Sequence, residues 1–193
     1  MNPYTAITLI AIYLLFLRWY KGNGKPLSTA EIEDYMARIG KRQVASLRSF
    51  AEADDGLAFY NVNLVTLRAK AIYEDGREFD GSSREANSKY GRAVLPELFK
   101  RASHPILLSS TLGVLGAQAS NSAKWERINL VRYRSRRDLL DMVASARWQE
   151  NNAHKRAAVE LTEIYPVAGV STTSVPLLVG MALIIIGLLS ALL

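Results

Sequence analysis

Two apolar ends enclose a charged middle, and that arrangement limits this chain more than any other feature. From Pro3 to Leu17 the sequence is almost wholly apolar, and Val167 to Leu193 contains no charged side chain. A bilayer core of about 30 Å needs close to 20 such residues, so each end is a candidate spanning helix. In the first, the positive charge of Arg18, Lys21 and Lys25 follows the apolar core. A cleaved secretory leader has the opposite order, with a small-residue cleavage site after the core, so the segment is expected to be a retained anchor. Arg18, Trp19, Tyr20, Lys21 and Lys25 are the expected membrane-interface residues, with the aromatic rings at headgroup level and the cations in the cytoplasm. That orientation leaves both termini outside and the middle of the chain inside. It describes a two-pass protein of a bacterial inner membrane with membrane lipid as one partner. Gly180, Met181, Ala182 and Gly187 supply small residues against which another helix can pack.

The 193 residues then divide into an anchor over 1–21, a linker with an amphipathic helix over 22–56, a domain over 57–166 and a second spanning segment over 167–193. About 140 residues remain outside the anchors, enough for one core. The net charge of +6 comes from Lys and Arg interspersed with Asp and Glu. No nucleic-acid motif accompanies it, so no nucleic-acid partner is expected. With no cysteine, disulfides, thiolate metal sites and cysteine nucleophiles are excluded. His104 and His154 lack neighbours at metal-ligand spacing, and there is no phosphate loop or serine elbow. Neither a metal nor a cofactor is expected.

In the linker, Ser28 and Glu31 fit a capping box. Ile32, Tyr35, Met36, Ile39, Val44, Leu47 and Phe50 keep helical spacing, interrupted near Gly40, which predicts one bent helix or two short ones. Arg38, Lys41, Arg42 and Arg48 form its charged face. In the domain, Ala58 to Arg68 alternates as a strand, with Tyr60, Val62 and Leu64 opposite Asn61, Asn63, Val65 and Leu67. A helix over Arg84–Ala102 carries a stripe of Ala86, Tyr90, Val94 and Leu98, with Pro96 as a bend. Strands are predicted over Pro105–Leu115 and Trp125–Tyr133. One long helix is predicted from Arg136 to about Val159, its stripe formed by Leu139, Leu140, Val143, Ala146 and Ala157. A short strand over Leu161–Tyr165 completes β-α-β-β-α-β, a ferredoxin-like α+β domain flanked by two single transmembrane helices.

Several stretches of this domain resemble the DUF1330 family. They are Asn61-Val62-Asn63-Leu64-Val65, Ser83-Arg84-Glu85-Ala86 leading to Tyr90-Gly91, Ala93-Val94-Leu95-Pro96, Leu130-Val131-Arg132-Tyr133-Arg134-Ser135-Arg136 and His154-Lys155-Arg156-Ala157-Ala158. The resemblance covers Leu57 to Pro166 and implies the dimeric α+β barrel superfamily, in which two sheets pair face to face. The membrane segments and the longer insertion around Gly113 to Lys124 depart from that pattern.

A sheet covered by helices on one side must bury its other face, and a second copy of the chain is the economical cover. The face expected there holds Asn61, Asn63 and Val65 with Trp125, Asn129, Val131 and Tyr133. Asparagines buried among aromatics bond one another or hold a ligand. The ligand-pocket candidates are therefore Asn61, Asn63, Trp125, Asn129 and Tyr133, and the resemblance adds His154, which matches the family's helix-end histidine, as a residue for the pocket edge. Asp138 and Asp141, beside Arg134, Arg136 and Arg137, read as a surface charge network. Two functions follow. The first is a non-catalytic accessory subunit whose domain docks on or stabilises a larger membrane complex, its partners being other membrane proteins, a second copy or both. The alternative is a membrane-tethered, cofactor-independent enzyme or binder of a small apolar molecule, quinone-like or aromatic, in a cavity between two protomers.

Overall fold

The computed structural model describes residues 2–39, 44–113, 115, 125–169 and 174–191. Lys41 and Arg42, and nearly all of the insertion before Trp125, lie outside them. The elements in order are α1 (Pro3–Lys21), α2 (Thr29–Arg38), α3 (Val44–Glu52), β1 (Phe59–Leu67), α4 (Ser83–Lys100), β2 (His104–Ser110), β3 (Arg127–Tyr133), α5 (Arg136–Val143), α6 (Ala146–Ala158), β4 (Val159–Val167) and α7 (Val175–Leu189). The architecture is α+β, with a four-stranded antiparallel sheet in the order β2-β3-β1-β4.

Helix α1 is long and apolar enough to cross a membrane, and α7 is a shorter apolar helix. The Asn2 side chain caps α1 and Gly22, at φ 75°, ends it. At 19 residues it is roughly 28 Å long. The two helices touch: Tyr13 Oη donates to the Pro176 carbonyl at 3.2 Å. A Cβ at Gly180 would come within 3.3 Å of that hydroxyl, so the missing side chain permits the close approach.

The linker forms two helices. Ser28 and Glu31 make the expected capping box on α2, whose Ile32, Tyr35 and Met36 are buried. Tyr35 Oη donates to Asp141 at 2.6 Å, and Gln149 Nε2 of α6 donates to the Arg38 carbonyl at 3.0 Å. Thus α2 is fastened to both later helices.

The predicted helix from Arg136 to Val159 is two helices. Ser145 accepts from the Trp148 N–H as the cap of α6, while its hydroxyl donates to the Met142 carbonyl at the end of α5. One serine thereby satisfies backbone groups on both sides of the break, and local side-chain bonding of this kind competes with helix continuation. Ala146, placed on the buried stripe by sequence, is exposed after the break, whereas Leu139, Leu140, Val143 and Ala157 are buried as expected. Asp138 is not a surface residue either. It is buried, accepts from Arg134 at 2.5 and 2.8 Å, and binds the Ser135 hydroxyl at 2.6 Å. A buried carboxylate requires such compensation.

The expected assignment of the sheet faces is reversed. Phe59, Asn61, Asn63, Val65 and Leu67 lie on the helix-covered face, together with Asn129, Val131 and Tyr133 of β3. Alternation separates two faces without stating which one the helices cover. Here Phe59 and Tyr133 stack at 5.2 Å and pack with Val94, Leu98 and Leu139, and this aromatic pair fixes the choice. The open face instead carries Tyr60, Val62, Leu64, Ile128 and Leu130, with exposed Leu161 and Tyr165 from β4.

The core lies between the sheet and the helices in two clusters. One gathers α2, α4, α5 and the Phe59–Tyr133 stack, and the other gathers Val65, Leu67, Ala71, Tyr73, Ala86 and the Ala157–Val159 segment. On β1 the two are separated by Asn61 and Asn63. Polar residues interrupt the apolar face at its middle.

Candidate functional site

That interruption is the floor of a cavity of about 1010 Å3. Asn61 and Asn63 of β1, Tyr133 of β3, and Thr162, Ile164 and Pro166 of β4 face it from the sheet. Leu47 and Phe50 of α3, Leu139, Met142 and Val143 of α5, and Trp148 and Asn152 of α6 face it from the helices. Glu74, Lys155, Arg156 and Glu160 stand at its rim, where Arg156 pairs with Glu74 at 3.3 Å. Ile164 lies on the helix side yet is 45% exposed, so the cavity opens along β4. The size is at the upper end of small-molecule sites.

The helix break shapes this space. A continuous helix would run straight across the sheet, whereas the stop at Ser145 lets α5 and α6 each turn a separate face toward the floor. Trp148, three residues past the cap, is buried and becomes part of the wall.

Asn61 is the most informative residue here. It is 5% exposed, and its Oδ1 has no hydrogen-bond partner among the described residues. The opposite residues in the ladder are Val131 and Pro166, neither of which offers a side-chain donor. Asn63 donates through Nδ2 to the Asn61 carbonyl at 3.1 Å, leaving the Asn61 side-chain oxygen unaffected. An amide oxygen withdrawn from water without a partner costs about 1–3 kcal/mol. Tyr133 is buried, and burial, with the Tyr90 hydroxyl as a smaller contributor, pushes its phenol well above the ordinary range. It stays protonated near neutral pH.

Of the sequence-derived pocket candidates, Asn61, Asn63 and Tyr133 come together here. Asn129 is the cross-strand neighbour of Asn63, but its Oδ1 accepts from the Ser109 N–H at 3.3 Å, and it does not line the cavity. Trp125 is half-buried before β3, where its carbonyl accepts from the Thr111 hydroxyl. His154 lies on α6 between lining residues but turns to Tyr73, sharing a 2.5 Å hydrogen bond through Nδ1. Burial, with Arg77 and Lys89 nearby, holds its pKa below the usual histidine value. Trp148, Asn152 and Phe50 were not anticipated. A tryptophan within the otherwise polar stretch Arg147 to Arg156 was the available signal.

The expected interface residues form a separate junction. Tyr20 is buried against the domain: its hydroxyl shares a 2.9 Å hydrogen bond with His104 Nε2, and the Arg132 guanidinium lies 3.9 Å from its ring centre. Arg132 is itself buried and donates to the Ala102 and Tyr20 carbonyls at 2.8 and 3.2 Å. Arg134 donates to the Trp19 carbonyl at 3.0 Å. Burial lowers the pKa of both Arg132 and His104 from their ordinary values.

Fold and site together define an α+β domain with a cavity inside one chain. Among solved structures, the chain is similar to the RPA0582 protein of unknown function from Rhodopseudomonas palustris, a structural genomics target. That match has a TM-score of 0.56 and 23% identity over 69% of this chain and 95% of the other. The methylated RPA0582 protein matches with the same score and identity over 80% and 99%. At this identity the likeness shows the fold. No family model and no curated protein matches the chain.

Proposed function

We propose that this chain is a membrane-anchored binding protein for a small, largely apolar molecule, held in the cavity beneath α3, α5 and α6. The observation that carries the proposal is Asn61, a residue lining that cavity whose buried side-chain oxygen has no hydrogen-bond partner among the described residues. A ligand hydroxyl or N–H aimed at this oxygen removes the desolvation cost, and Phe50, Met142 and Trp148 receive a flat apolar body. A phenol- or quinol-like molecule has that chemistry. The strand order β2-β3-β1-β4 and the helices between the strands support a ferredoxin-like reading. The length and apolarity of α1 and its packing on α7 support membrane anchoring, and the position of Arg18, Lys21 and Lys25 after the apolar run favours a cytoplasmic domain. The site lies within one protomer instead of between two.

A second reading has its own observation. Tyr60, Val62, Leu64, Ile128 and Leu130 make a mostly apolar open face, and a protein partner or a second copy would cover it. This is the accessory-subunit reading, and it is compatible with a ligand on the other side of the sheet.

Native mass spectrometry of the full chain released from nanodiscs, followed by solvent extraction, tests both readings. A single extractable aromatic molecule at one per chain supports the binder. A bare chain travelling with stoichiometric membrane proteins overturns the binder in favour of the accessory subunit.

A further inference from the structure

A second cavity, of about 380 Å3, lies where α1 meets the domain. Leu15, Arg18, Trp19 and Gly22 line it from one stripe of α1, at positions i, i+3, i+4 and i+7. Lys21 and Asn23 extend that wall, and Arg134, Arg137 and Asp138 close the opposite side. Four cations therefore face one carboxylate.

Two of these cations are already engaged. Arg134 is held by Asp138 and the Trp19 carbonyl, and Arg137 by Glu31 and the Pro26 carbonyl at 3.3 Å. Among the described residues, Arg18 and Lys21 have no carboxylate partner. The cleft therefore carries uncompensated positive charge at the end of the apolar helix.

Glycine keeps it open. Gly22 and Gly56 both have positive φ, 75° and 72°. A Cβ on Gly22 would lie 3.3 Å from the Arg134 side chain, and one on Gly56 would lie 2.4 Å from the Gly24 carbonyl oxygen. Any side chain there would force the walls apart or occupy the space between them.

We infer that this cleft binds the headgroup of an anionic phospholipid, its phosphate between Arg18 and Lys21 and its acyl region along Leu15 and Trp19. The inference rests on the reading of α1 as a membrane helix. Leu15 lies one turn deeper along α1 than Arg18 and Trp19, so apolar contact and cationic contact occur in the order a lipid presents them. A zwitterionic choline headgroup brings a cation of its own into this field, whereas phosphatidylglycerol does not. Each surface Lys or Arg changes anionic-lipid binding roughly 5-fold, and salt screens the effect.

The full chain in nanodiscs of equimolar phosphatidylglycerol and phosphatidylcholine provides the test. The lipid retained on release is read by native mass spectrometry, and anchoring is read separately as resistance of the cellular membrane-bound protein to alkaline extraction. The wild type is expected to retain one phosphatidylglycerol in clear excess over phosphatidylcholine. R18Q/K21Q is expected to lose at least ~5-fold of that preference. K70Q/R92Q, which removes the same charge away from the cleft, is expected to keep it. Equal retention of both lipids by the wild type, or equal loss in the two variants, overturns the inference even if the protein resists alkaline extraction. Displacement of the lipid by millimolar inorganic phosphate at constant ionic strength also overturns it, assigning the cleft to free phosphate. Release by alkali defeats the membrane reading itself.

Discussion

Asn61→Leu provides the sharpest test of the cavity. Asn61 is 5% exposed and its buried amide oxygen has no partner among the described residues, so the ligand-free protein carries about 1–3 kcal/mol of uncompensated desolvation. Leucine removes that cost and adds apolar surface at a position bordered by a cavity of about 1010 Å3, so overpacking is avoided. The backbone of residue 61 keeps its ladder pairing with Val131 and Pro166, and its carbonyl keeps the Asn63 amide. The ligand-free variant should therefore be more stable by about 1–3 kcal/mol, or roughly 2–12 °C in Tm for a chain of this size. A heat melt of ligand-stripped protein in nanodiscs, followed by far-UV circular dichroism, measures the shift. The same variant should lose the co-extracted molecule. A fall in Tm of more than about 2 °C would refute the reasoning, because it would mean that the amide holds the fold together.

Three further outcomes follow from the packing and the titrating groups. Leu140 is completely buried, so Leu140→Ala should cost about 3–5 kcal/mol in urea unfolding, and a loss under 1 kcal/mol would mean the site collapses freely. Ser145→Ala should cost about 1 kcal/mol and speed hydrogen exchange in the first turn of α6 more than in α5. His104 and His154 both have folded pKa values depressed by burial, so the unfolded chain binds protons more readily as pH drops below about 6.5. Stability is thus full above that pH and declines as pH falls through the folded values. An H104Q/H154Q chain should have a flatter stability profile between pH 7 and 5, and an unchanged slope would remove the histidines from the explanation.

What could be read from the sequence was what neighbours in the chain decide. The Ser28–Glu31 box is a three-residue relationship, and it formed as expected. The stripe of Ala86, Val94 and Leu98 is buried, and the two strands read from alternation, Ala58–Arg68 and Trp125–Tyr133, lie close to β1 and β3. The same logic overlooked a second box, Ser82 with Glu85, although its spacing is identical. The break at Ser145 was hidden because Ala144-Ser145-Ala146 contains no glycine or proline. The choice of buried face depends on Phe59 meeting Tyr133, 74 positions later in the chain, and alternation carries no information about it. For the site, the asparagines were legible as an anomaly on an apolar strand. Their enclosure by α3 and α6 was not, since those helices reach them only in the folded chain.

The junction at Tyr20 has a mechanical consequence. Arg132 and the neighbouring Arg134 tie the end of α1 to β3, which is an inner strand of the sheet. A pull on α1 is therefore delivered to the middle of the sheet. An edge strand can be unzipped one bond at a time. An inner strand is hydrogen-bonded on both flanks and yields only when two ladders give way together. Tension on α1 would accordingly displace the domain as one body before it distorted the cavity.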